Sequence, residues 1–315
     1  MGETSAIAEK EMRSLLSSKL WNLGLVIVIA CNLASIYQAY LSYQQQIELY
    51  GKGKGIEPTS LSAFSSGIWV VANGALPLLS ILSAFDSIAR ERRTGTMQLL
   101  LARSTSRGAI LVGKFLGGYA LVAVVSISTV LLTSGLTVAL TGPFDLDEQL
   151  RILAFTAVTL LYLSIWVSIS LFISTVIKSG VTSLVVSLLV LVSLAAWPVT
   201  SSALSNLLSP LPSFWMGGNA WHTIISELNT KVKDYLNWFS PSAVFSVCAG
   251  SFLNPMVDVP PFVRQTREPV FPLDVVDTLI NNWPCISTMI NMLTVTLIAS
   301  YIVIKVRKIE TEGGS

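Results

Sequence analysis

Residues 108–115, GAILVGKF, come within one residue of a nucleotide-binding signature. A P-loop runs Gly, four residues, Gly, Lys and then Ser or Thr; its amides cradle phosphates and its hydroxyl holds the metal. Gly108, Gly113 and Lys114 fit, but Phe115 stands where the hydroxyl belongs. The intervening residues are Ala109, Ile110, Leu111 and Val112, continuous with a longer apolar run. A P-loop follows a buried strand, whereas these residues open an apolar helix. Helical amides are already committed to the carbonyls four residues back. The segment is therefore read as the head of a membrane helix, and no Walker-type element occurs elsewhere. No cofactor is expected on this chain.

Other chemistry is equally sparse. His222 is the single histidine. Cys31, Cys248 and Cys285 show no metal-type spacing. No serine has a base within reach of sequence logic. Catalytic and metal sites are thus expected to be absent. Cys248 and Cys285 fall on the same side, so a disulfide is one reading and two small apolar residues the other. Residues 28–31, VIAC, resemble a lipoprotein cleavage site, but the apolar run continues past Cys31 and the stretch is read as a span.

The elements that position these residues follow from composition. The chain has 315 residues, 52% hydrophobic and 12% charged, with a net charge of +2. Soluble domains carry about 25% charged residues. The fold class is therefore an all-α integral membrane protein, and no basic run suggests nucleic acid. A span needs about 20 apolar residues. Six segments qualify: 20–41, 67–85, 115–140, 152–177, 181–208 and 285–306. Pro77 is expected to kink the second, and Pro198 to bend or end the fifth. Gly113 and Gly117 form a small-xxx-small pair that permits close helix approach.

Lysines and arginines orient the chain. With a cytoplasmic N-terminus, 13 of the 20 basic residues fall inside: Lys10, Arg13, Lys19, Arg90, Arg92, Arg93, Arg103, Arg107, Lys114, Lys178, Lys305, Arg307 and Lys308. Six spans return the C-terminus to the cytoplasm. Intramembrane charge is nearly absent. Asp86 and Lys114 sit at inner ends, where Lys114 is expected to snorkel, and Arg151 sits at an outer end. A proton-coupled carrier or ion pump is disfavoured on that ground.

Three stretches outside the spans are amphipathic. Ala8, Met12, Leu15, Leu16 and Leu20 recur at helical spacing and predict a helix along the inner surface. Residues 90–106 carry a stripe of Met97, Leu100 and Leu101 between arginines, and Ser104–Ser106 offer a cap for a helix beginning near Arg107. Residues 209–284 form an outer helical cap. In it, Trp221, Ile224, Ile225 and Leu228 begin one stripe, Ser240 and Pro241 open a second helix, and 274–281 form a third.

The stretch DSIARERRTGTMQLLLARSTSRGAILVGKFLGGY resembles the cytoplasmic signature of ABC type-2 exporter permeases. Asp86, Glu91, Gly95, Thr96, Leu99, Leu100, Leu101, Ser106, Arg107, Gly113 and Lys114 match it. Arg93 stands where a second acidic residue is common, and Ser104 where proline is usual. LNWFSPSAVFSV looks like the family's Ser-Pro element before the last span. The layout agrees over residues 1–310.

The resemblance implies a permease subunit of a plasma-membrane exporter that is not catalytic by itself. A second permease, identical or paralogous, would share the pathway. Two separate ATPase subunits would bind ATP and Mg. Each ATPase would grip a coupling helix at 90–106. Asp86, Arg90, Glu91, Arg92, Arg93, Gly95, Thr96, Leu100, Arg103 and Arg107 are the implied docking residues. Ser104, Ser106, Gly113 and Lys114 would carry motion into the third span. Two alternatives stand beside this: a permease-like subunit transmitting ATPase motion for mechanical or assembly work, and an ATP-independent channel or carrier.

Overall fold

The computed structural model describes residues 2–51, 59–94, 106–197, 200–201, 235–253 and 274–312, and every element among them is helical. α1 (Gly2–Leu16) is followed after two serines by α2 (Lys19–Gly51). α3 (Ser60–Val70), a π-helical turn (Val71–Ala75), α4 (Leu76–Ala84) and α5 (Ser87–Arg93) form the second rod. α6 (Arg107–Thr141) and α7 (Leu146–Val176) are long. α8 (Gly180–Ala195), α9 (Pro241–Leu253) and α10 (Val275–Asn281) are short, and α11 (Trp283–Glu312) ends the chain.

Among the described residues, five helices are long and apolar enough to cross a membrane: Lys19–Leu49, Ser60–Arg93, Arg107–Thr141, Leu146–Val176 and Trp283–Val306. α8 covers the start of the expected fifth span. At about 1.5 Å per residue its 16 residues fall short of the roughly 30 Å hydrocarbon core. Residues 198–199 and 202–208 of that span lie outside the described residues. So do 209–234 and 254–273, which hold most of the expected outer cap.

α7 is the central post. Its buried face contacts α4, α6, α9 and α11. Tyr162 stacks on Phe245 of α9 with ring centroids 4.2 Å apart, and its hydroxyl lies 3.1 Å from Ser242 Oγ. Ser168 pairs with Thr296 of α11 at 2.6 Å, and Ser170 donates to the Ile81 carbonyl at 2.9 Å. Hydroxyls matter here because lipid offers a buried polar group no alternative partner. The side-chain bond from Asn32 to Thr133 at 2.9 Å ties α2 to α6 deep in the bundle. Leu23, Val26, Ile29 and Leu33 of α2 are exposed, as residues facing hydrocarbon would be.

The kink expected at Pro77 takes a different form. Pro77 has no N–H, and its ring would collide with the carbonyl of Asn73 in a regular helix. The backbone ahead of it widens into the π turn, where the Leu76 amide bonds to the Val71 carbonyl. Asn73 Nδ2 donates to the Trp69 carbonyl at 3.1 Å, and Asn73 Oδ1 accepts from Ser246 of α9 at 3.2 Å. At the other end of α6, Gly142 adopts φ 110°, a conformation that glycine alone takes without strain.

Candidate coupling site

Glycines shape this site. A Cβ built on Gly113 would stand 2.9 Å from Ile7, and one on Gly117 would stand 2.8 Å from the Ala8 carbonyl. Their absent side chains form the trough in which α1 lies across α6. The small-residue pair therefore serves the N-terminal helix, not a neighbouring span. Ser106 caps α6 by accepting the Ala109 amide at 3.2 Å, so the helix begins at Arg107. Residues 108–115 lie wholly inside α6, with their amides committed to its helical hydrogen bonds.

Lys114 does not snorkel. Its side chain is 1% exposed and turned inward between α1, α5 and α6. Nζ lies 3.3 Å from Glu11 Oε2 and 3.1 Å from Glu91 Oε1, and donates to the Ser87 carbonyl at 2.9 Å. Three acceptors match the three donors of an ammonium. Ser87 Oγ sits 3.2 Å from Nζ and donates to Glu11 Oε1 at 2.6 Å. Glu91 also meets the solvent-facing Lys10 at 3.5 Å. Two carboxylates thus face one buried and one exposed ammonium. Taking such charges out of water is repaid only when every partner is in place, which fixes the geometry closely.

α5 is held from its other side by the end of α7. Ser174 Oγ accepts the amides of Ile88 and Ala89, each at 3.1 Å, which satisfies two orphan donors of the short helix. Arg92 donates to the Thr175 carbonyl. Asp86 packs against the first residue of α8: a Cβ on Gly180 would meet its Oδ1 at 2.1 Å. Asp86 Oδ2 lies 3.8 Å from Arg93. Arg90 donates to Ser14 Oγ at 3.0 Å and is exposed, as is Arg93. Arg107 reaches the Lys305 carbonyl at 3.5 Å.

The structure brings together Asp86, Arg90, Glu91, Arg92, Arg93, Arg107, Ser106, Gly113 and Lys114 around α5 and the head of α6. Glu91 is 9% exposed and faces Lys114 and Lys10 within its own chain. Gly95, Thr96, Leu100, Arg103 and Ser104 lie outside the described residues. Three partners went unread in the sequence: Glu11, Ser87 and Ser174. Glu11 had a signal, because it lies three residues after Ala8 and four before Leu15, on the apolar stripe. A carboxylate on that face calls for a buried cation. Ser87 and Ser174 carried no comparable mark.

Arg151, at the opposite end of the bundle, is also buried, and it pairs with Asp147 at 2.6 Å. There Glu148 accepts the Asp145 amide at 3.1 Å and the Leu61 amide at 3.2 Å, joining α7 to α3.

The sequence is similar to two proteins named probable ABC transporter permease protein NosY, from Pseudomonas aeruginosa and Stutzerimonas stutzeri. Each is 41% identical over 59 residues, 19% of this chain. The match spans 22% and 21% of those relatives, about a fifth of their length. The profile of the family described as ABC-2 family transporter protein matches residues 5–308. That match takes in α1, the charged cluster, all five spanning helices and the α9 helix, and the chain belongs to the ABC-2 transporter family.

Proposed function

We propose that this chain is the permease subunit of an ATP-driven exporter in the plasma membrane and couples to a separate ATPase. The observation that carries the reading is the Lys114 cluster within a chain of this family. It joins the surface helix α1, the segment α5 that leads towards 95–106, and the spanning helix α6. A force applied to α5 by a partner would be passed by Glu91 and Ser87 to Lys114, and so to α6. Exposed Arg90 and Arg93 are the groups that present charge to an ATPase groove. ATP and Mg would be bound by two ATPase subunits, and a second permease would complete the pathway. The N- and C-termini, with α1 and Lys305, would face the cytoplasm.

The test is co-expression with candidate P-loop ATPases, followed by purification through the permease. A stoichiometric ATPase is expected to copurify and to hydrolyse ATP in the complex. Joint replacement of Arg90 and Arg93 by Gln is expected to weaken that association at least tenfold while the permease stays folded, as read by its thermal unfolding. Unchanged association would remove α5 from the docking surface. Vesicles loaded with candidate cargo then separate export from mechanical work without transport.

A further inference from the structure

Cys248 and Cys285 are reactive groups for which the coupling site has no use. Cys248 lies midway along α9, and Cys285 lies in the first turn of α11. Both are free thiols, fully buried, in one core cluster where α9 packs against α11. The two thiols come within interaction range of each other across this contact. Cys31, on α2, stands apart as a half-buried thiol. The pair sits at the head of α11, whereas Arg107 meets the carbonyl of Lys305 near its other end. It is therefore at the opposite end of the bundle from Lys114. On the orientation proposed above, that end faces the compartment in which disulfides persist.

We propose that Cys248 and Cys285 are a redox pair whose oxidation to a disulfide fastens α9 to the head of α11. The oxidant is a small disulfide, RSSR. One cysteine thiolate attacks it, forming a mixed disulfide and releasing RS⁻, which takes up the proton. The second cysteine then attacks the first cysteine's sulfur and expels another RSH. Two thiols are oxidised and one RSSR is reduced to two RSH. Because both sulfurs are out of solvent, exchange happens while α9 is lifted from α11. Reduced protein thus has a releasable α9, and oxidised protein a fixed one.

The experiment uses the full chain carrying Cys31→Ala, reduced, returned to lipid nanodiscs and exposed to 4,4′-dithiodipyridine. Intact mass is expected to fall by two hydrogens with no pyridylthio adduct, and a reductant should restore it. Two adducts, or an unchanged mass, overturns the proposal. Cys248→Ser in the same background should take up one adduct and form no internal bond. Hydrogen exchange of residues 241–253 should slow severalfold on oxidation; no slowing would overturn the fastening. Thiol state is read without an ATPase or a cargo, so these outcomes are separate from the fate of the permease reading.

Discussion

Lys114 on α6 and Glu91 on α5 lie 3.1 Å apart with their side chains 1% and 9% exposed. They join a spanning helix to the short helix that precedes the connection between spans two and three. The pair is completed by Glu11, which belongs to neither span but to α1. Removing one member strands the others, and that asymmetry gives the first prediction.

Lys114→Met leaves Glu11 and Glu91 buried without their shared cation. Breaking a buried ion pair costs about 3–5 kcal/mol. The thermal midpoint in detergent should drop by several degrees. Adding Glu11→Gln and Glu91→Gln should recover most of the loss, since a neutral set no longer carries stranded charge. Failure of the triple variant to improve on the single would show that Lys114 acts through packing.

Gly117→Leu should displace α1. The new side chain begins 2.8 Å from the Ala8 carbonyl, a backbone atom that cannot turn aside. Amide exchange across α1 should accelerate at least tenfold. Gly135→Ala is the matched control, because nothing lies within 4 Å of its Cβ position. A mid-helix glycine replaced by alanine gains about 0.5–1 kcal/mol, so that variant should be neutral or slightly stabilised.

Ser174→Ala removes the acceptor for two amides of α5. Loss of a helix cap costs about 1 kcal/mol. Exchange at Ile88 and Ala89 should rise by about fivefold, while that of α6 is unchanged. Equal protection in both proteins would mean that the other contacts of α5, those of Lys114 and Arg92 among them, hold it without Ser174.

Asn32→Leu should be tolerated. Thr133 keeps its bond to the Thr129 carbonyl at 2.9 Å, and Asn32 Oδ1 has no hydrogen-bond partner. Interhelical polar bonds in membranes are worth about 0.6 kcal/mol on average. The change in unfolding free energy should stay within about 1 kcal/mol. A larger loss would show that the pair orders α2 against α6.

Much of this was legible in the chain. Helix-length apolar runs exposed five of the six expected spans, and Ser106 before Arg107 announced the start of α6. Gly113 and Gly117 announced close approach, but could not say to what. Lys114 was misread because a lysine at the end of an apolar run ordinarily reaches for water. Its true partner, Glu11, lies 103 positions away. Local periodicity carries no information over that range. Pro77 betrayed an irregularity without revealing its form, because a kink and a π turn both answer a missing amide.

The π turn also splits its span into two halves of different phase. One extra residue advances a helix by about 100°. The residues of α3 therefore address their neighbours from a direction set by Val71–Ala75, independently of α4. Deleting one residue there would leave the composition, length and hydropathy of the rod nearly intact. It would nevertheless turn Phe64 and Ile68, both fully buried, out towards lipid while Leu76 and Leu79 stayed in place. The two halves of one span can thus drift separately in sequence, each answering only to the surface it touches.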